Sequence, residues 1–131
     1  MSVRVLSIEL PIRTVSLTNQ REPWQAKHAR NRAQLQALAL ALNPLGRPEL
    51  PVAVTLTRIG PRTLDGDNLQ SALKTLRDGV ARWLKKDDAD PAIAWIYRQE
   101  PSTLGQLRVF TRSGKMRRVA DVRIRLEIDR P

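Results

Sequence analysis

The chain is predicted to fold as an α+β domain, with one mixed β-sheet of about four to five strands and two main helices packed on it. Three observations carry that prediction. Segments of strand and helix character alternate in the order strand, helix, strand, helix, strand, and a terminal hairpin follows. Leu69, Ala72, Leu73, Leu76, Val80, Trp83 and Leu84 recur at i, i+3, i+4 and i+7, an apolar stripe of helical period. Val122, Ile124, Leu126 and Ile128 alternate strictly with Arg123, Arg125 and Glu127, so that strand has one dry face and one wet face.

Each element has its own justification. "VRVLSIELP", residues 3 to 11, is rich in β-branched and aliphatic residues and stops at Pro11, which cannot donate to a ladder. Residues 12 to 25, "IRTVSLTNQREPWQ", hold no sustained period and read as a connection. From Ala26 to Leu42 strong helix formers dominate, and Asn43 and Pro44 end them. "NPLGRPELP", residues 43 to 51, is a loop by its prolines and glycine. "VAVTLTRI", residues 52 to 59, alternates as a second strand with one more apolar face. The striped helix runs from Asn68 or Leu69 to about Lys85, and "PAIAWIYRQ", residues 91 to 99, has the content of a third strand. "GQLRVFT" and "RRVADVRIRLEI" flank "RSGKM", whose Ser113 and Gly114 supply turn chemistry for the hairpin.

At 131 residues the chain fits a single domain spanning 1–131, and its 41% hydrophobic content is that of a folding protein. Lys and Arg number 23 against 13 Asp and Glu, a formal net charge of +10, so a polyanion is the expected partner and nucleic acid leads. Arg outnumbers Lys 18 to 5, which favours bidentate contact with phosphate. There is no cysteine, which excludes disulfides and thiolate metal sites and leaves oxygen ligands or the lone His28. No apolar run approaches the roughly 18 residues of a membrane span, and no secretory signal is visible, so no membrane partner and a cytoplasmic location are expected.

Within this basic chain six of the thirteen acids lie between residues 65 and 90. Asp65 and Asp67 leave the second strand two residues apart, which in extended backbone points both carboxylates to one side, with Gly66 allowing a tight bend between them. Asp67 or Asn68 also suits the helix N-cap. Asp87, Asp88 and Asp90 follow the same helix, at its far end unless the chain doubles back. A divalent cation resolves the conflict between clustered acids and a polyanionic partner, because it neutralises them and binds substrate phosphate oxygens.

"DGDN" at 65 to 68, the amphipathic helix "LQSALKTLRDGVARWL" and "DD" at 87 and 88 ahead of "IAWIYR" together resemble the RusA-type Holliday junction resolvases of bacteria, phages and prophages. The N-terminal "IELP", followed by a loop and a basic helix, is similar too. The resemblance implies a homodimeric, Mg²⁺-dependent endonuclease, with Mn²⁺ as the substitute ion, that nicks four-way DNA in recombination and repair. By position it implies Asp65, Asp67 and Asp88 as metal-binding catalytic carboxylates, with Asp87 and Asp90 as alternates. The family commonly has a lysine three residues after the Asn; here that position is Ser71, and Lys74, one turn further on, is the substitute.

Further phosphate-binding candidates are Lys27, Arg30 and Arg32 at the start of the first helix, Arg77 on the second, and Arg112, Lys115, Arg117 and Arg118 around the hairpin tip. His28 reads as a surface residue, Trp83 and Trp95 as core, and Trp24 as a stacking or dimer contact. The competing reading is a catalytically silent DNA-binding protein of the same fold. An RNA-binding protein is a third, which leaves the separated acids without a purpose.

Overall fold

A computed structural model describes residues 2–12, 14, 23–102, 107–110, 112–119 and 122–131, with the side chains of 107–110 and 116–119 outside the description. The fold is α+β. Strand β1 (Val3–Leu10) leads to helix α1 (Trp24–Leu42), strand β2 (Val52–Gly60), helix α2 (Gly66–Trp83) and strand β3 (Ile93–Pro101). Two short strands, β4 (Leu107–Phe110) and β5 (Met116–Val119), precede β6 (Arg123–Arg130).

The main sheet has the order β1-β6-β2-β3. β6 is antiparallel to both β1 and β2, and β2 is parallel to β3, so β1, β2 and β3 all run the same way. Each helix therefore returns the chain from the carboxyl end of one parallel strand to the amino end of the next. The side of the sheet that carries Leu56, Leu126 and Ile128 packs against Leu38 and Leu42 of α1 and Leu73, Leu76 and Val80 of α2. The predicted stripe on α2 is thus the core face: Leu73, Leu76 and Val80 are fully buried. α1, apolar on several sides, buries Gln34, Leu38 and Leu42 and leaves Leu40 79% exposed.

The two helices descend side by side. Thr75 Oγ1 donates to Asn31 Oδ1 at 3.3 Å, and one turn lower Gly79 faces Leu35 and Leu38. A Cβ at Gly79 would stand 2.7 Å from Leu38 Cδ2 and 2.9 Å from Leu35 Cδ2, so any larger residue there would have to displace those leucine side chains. α2 ends in a Schellman motif: the Lys86 N–H donates to Ala81 O and the Lys85 N–H to Arg82 O, with Lys85 in the left-handed region at φ 58°.

β2 has the more apolar face expected of it, Val52, Val54 and Leu56, and its other face is buried as well, with Thr55 4% and Thr57 1% exposed. A strand between two neighbours is covered on its outer face by the long side chains beside it, including Arg125, whose residue pairs with Thr57. The expected second hairpin arm is two strands. β5 pairs with β4, whereas β6 inserts between β1 and β2, where its alternation buries Ile124, Leu126 and Ile128. Residues 105, 106 and 111 of the first expected arm lie outside the described residues.

The outer face of the sheet is bound by ion pairs. Arg4 joins Glu127 and Asp129, Glu9 holds Arg123 at 2.7 Å and Arg125 at 3.1 Å, and Arg125 reaches Glu100 at 2.8 Å.

Candidate functional site

Parallel strands with helical crossovers collect their loops and helix N-termini at the carboxyl ends of the strands, the edge where such sheets bind ligands. That edge here holds the C-termini of β1, β2 and β3 and the N-termini of both helices. Asp65 and Asp67 sit on it. The helix begins one residue after Asp65, so Asp65, not Asp67 or Asn68, is the N-cap: its backbone is extended and its Oδ1 accepts from the Asn68 N–H at 3.1 Å. Asp67 lies in the first helical turn, where the macrodipole favours an anion. The extended backbone expected from Asp65 to Asp67 therefore stops at Asp65, but both carboxylates are exposed.

The turn leading to them is pinned from below. Gln99 on β3 accepts from the Leu64 N–H at 2.8 Å and donates to the Leu64 carbonyl at 2.6 Å. Beside it, in register on β2, Arg58 donates from Nη1 to the Arg62 carbonyl at 2.5 Å and from Nε to Thr14 Oγ1 at 3.2 Å. Arg58 is only 8% exposed. Burial lowers its pKa, and among the described residues no carboxylate offsets that effect. The sequence reading missed this residue, although a signal existed: Arg58 continues the parity of Val52, Val54 and Leu56, a charge on an apolar phase.

Asp88 lies elsewhere. α2 has 18 residues, about 27 Å at the usual helical rise, and the chain passes from its end straight into β3, which starts beside Val52. Asp87, Asp88 and Asp90 therefore lie at the amino end of β2 and β3, opposite Asp65 and Asp67. The expectation that the two clusters form one cation site within a subunit is corrected, because parallel pairing of β2 and β3 separates the two loops by the length of the sheet. Among the described residues, no group of three or more His, Asp and Glu gathers closely enough to share an ion.

Arg77, expected as a phosphate contact, belongs to that far end as well. Its Nη1 donates to the Tyr97 hydroxyl at 2.6 Å and its Nη2 to the Asp88 carbonyl at 3.0 Å. Nε stands 3.0 Å from Asp88 Oδ2, an ion pair too misaligned for a hydrogen bond, and the guanidinium lies 4.9 Å from the centre of the Trp95 ring. Trp95 Nε1 also donates to the Asp88 carbonyl at 2.8 Å. Arg77 is spent on tying α2 to the loop before β3.

The remaining cations are distributed as follows. Lys27 and Arg32 are exposed on the first turns of α1, and Arg30 is half-buried between them. α1 starts from Pro23 with no side-chain cap and no acid in its first turn, so its N-terminal dipole adds positive potential to the carboxyl edge. The 44-residue offset that matches Asn31 with Thr75 sets Lys27 level with Ser71. Lys74 is exposed on α2, two turns below Asp67 and on the same side. Arg112 and Lys115 are exposed at the β4–β5 turn, while the side chains of Arg117 and Arg118 lie outside the description. Trp24 opens α1 rather than lying in a loop; it is 69% exposed, with its ring centre 4.0 Å from that of His28. Trp83 and Trp95 pack against the core as expected.

The acid pair fits a hard divalent cation. Asp65 commits one oxygen to the cap, and Asp67 is exposed nearby; Mg²⁺ or Mn²⁺ binds protein through one or two carboxylates and completes its shell with water and substrate oxygens. Among the described residues no helix is long and apolar enough to cross a membrane. No protein-family model matches the chain, and no curated protein matches it.

Proposed function

We propose that the chain is a metal-dependent, structure-selective endodeoxyribonuclease acting on branched DNA, in the manner of the RusA-type Holliday junction resolvases. The observation that carries this reading is the exposed pair Asp65 and Asp67 at the carboxyl edge of the parallel strands, on an edge otherwise supplied with cations and helix N-termini. A Mg²⁺ or Mn²⁺ ion held by the pair would supply Lewis-acid polarisation of a phosphodiester. The protein's own part is to place the acids by the Asp65 cap and by the Gln99 and Arg58 tethers beneath the turn. Lys27 and the N-terminus of α1 attract the backbone phosphates, and Lys74 stands on the acid-bearing side of α2.

The third carboxylate assigned by the resemblance, Asp88, acts across a subunit boundary in the proposed homodimer, since within one chain it lies at the far end of α2. The test is incubation of the purified protein with four-way and linear duplex DNA, first with Mg²⁺ and then with EDTA. Nicking of the branched substrate that disappears on chelation is expected. Binding without nicking under every metal condition would replace this reading with that of a catalytically silent DNA-binding protein, which the remoteness of Asp88 favours.

A further inference from the structure

Arg58 combines features that a purely structural arginine seldom combines. It occupies an apolar position of a central strand and is 8% exposed. Its hydrogen bonds go to neutral oxygens, the Thr14 hydroxyl and the Arg62 carbonyl, and among the described residues no carboxylate pairs with it and Nη2 has no acceptor. By contrast Arg4, Arg77, Arg123 and Arg125 each face a carboxylate within 3.1 Å. A buried cation costs free energy unless an anion answers it. The guanidinium lies against Gly60, where a Cβ would come within 3.3 Å of both Nη1 and Nη2, and beneath the turn that carries the acid pair into α2. The planar fork is thus held from two sides, with one nitrogen left over, at the edge where two helix N-termini point.

We infer that Arg58 is the seat of a phosphate subsite that takes one backbone phosphate of a polynucleotide lying across the carboxyl edge. The anion chemistry follows from Arg58 itself, whereas the polynucleotide rests on the nuclease reading. A fixed guanidinium at this place would hold the strand by a phosphate neighbouring the one at Asp65 and Asp67, so that the acids meet the backbone in one register. Arg58 is a positioning residue in that arrangement.

Two measurements test it. In the first, inorganic phosphate is titrated into the wild-type protein while the Arg58 Nε–Hε resonance is followed, with chloride at matched ionic strength as the control. A saturable shift with phosphate and none with chloride is expected; equal drift in both overturns the subsite. In the second, four-way DNA affinity is measured in EDTA across a range of KCl for wild type and Arg58→Gln. The variant is expected to fold, to bind several-fold more weakly, and to lower the slope of log K against log[salt] by about 0.9, the loss of one phosphate contact. A folded variant with an unchanged slope overturns the inference. A phosphate shift in a protein that binds no DNA leaves the subsite standing and removes the nuclease reading. DNA that is bound and cut while Arg58 responds to nothing does the reverse.

Discussion

Asp65 is asked to do two things, and replacing it in two ways separates them. As N-cap it accepts one hydrogen bond from the Asn68 N–H, and as half of the acid pair it supplies negative charge. Asn caps a helix about as well as Asp, whereas Ala does not, and losing the cap costs about 1 kcal/mol. Either change also removes a favourable charge near the N-terminus of α2, about 0.5 kcal/mol at an exposed site. Asp65→Asn should therefore cost about 0.5 kcal/mol and Asp65→Ala about 1.5 kcal/mol. For a 131-residue domain these correspond to melting-point losses of roughly 2 °C and roughly 5 °C. Melting followed by far-ultraviolet circular dichroism, with junction nicking assayed on the same preparations, gives both readouts. Both variants should lose cleavage although only Asp65→Ala loses appreciable stability. An Asp65→Asn protein that nicks at the wild-type rate would refute the carboxylate role, and an Asp65→Ala protein with an unchanged melting point would refute the cap.

Other outcomes follow from the same structure. Gly79→Val should lower the stability measured by urea unfolding by about 2 kcal/mol, since the new side chain enters space held by Leu35 and Leu38; an unchanged midpoint would mean those leucines yield without cost. Lys85→Gly, at the left-handed residue closing α2, should raise stability by up to about 1 kcal/mol in the same assay. Arg77→Met should destabilise by about 1–2 kcal/mol through lost hydrogen bonds to Tyr97 and Asp88, while leaving the salt slope of DNA binding as it was. Mixing Asp67→Asn with Asp88→Asn protein should restore nicking that neither shows alone, because a heterodimer with sites shared between subunits keeps one complete site; failure of the mixture to nick would place Asp88 outside the chemistry.

The helix pattern of residues 69 to 84 could be read correctly because its apolar period is set by contact with one flat surface, and the residues it singled out, from Leu69 to Leu84, are those that pack on the sheet. α1 gave less information. With apolar side chains on several sides, its composition indicates a helix without saying which side is buried, and that side is chosen by Gly79, which lets α2 come close. Strand parity was legible for both β6 and β2, but in β2 coverage by neighbouring strands also buries threonines of the outer face that look exposed in sequence. The site divided along the same line. Asp65 and Asp67 are local in sequence and stay together, whereas their relation to Asp88 depends on whether β3 runs parallel to β2, a property of sheet topology that no short motif contains. Arg58 was passed over because a charged residue in a strand is ordinarily turned outward, and only the parity of its neighbours argues otherwise.

The ion-paired outer face of the sheet has a consequence for how the molecule would meet the polyanion proposed as its partner. Arg4, Arg98, Arg123 and Arg125 on that face are matched by Glu9, Glu100, Glu127 and Asp129, so among the described residues of the four-stranded sheet the charges balance in a chain whose total is +10. Among the described residues, exposed cations such as Lys27, Arg32, Lys74 and Arg82 lie on the helices instead. With a screening length of about 8 Å at physiological salt, a polyanion approaching from the sheet side feels little attraction, while one approaching elsewhere feels a pull. With such a partner the resulting torque would turn the protein during diffusion, before any contact forms, so the balanced face would select the orientation of encounter and speed association.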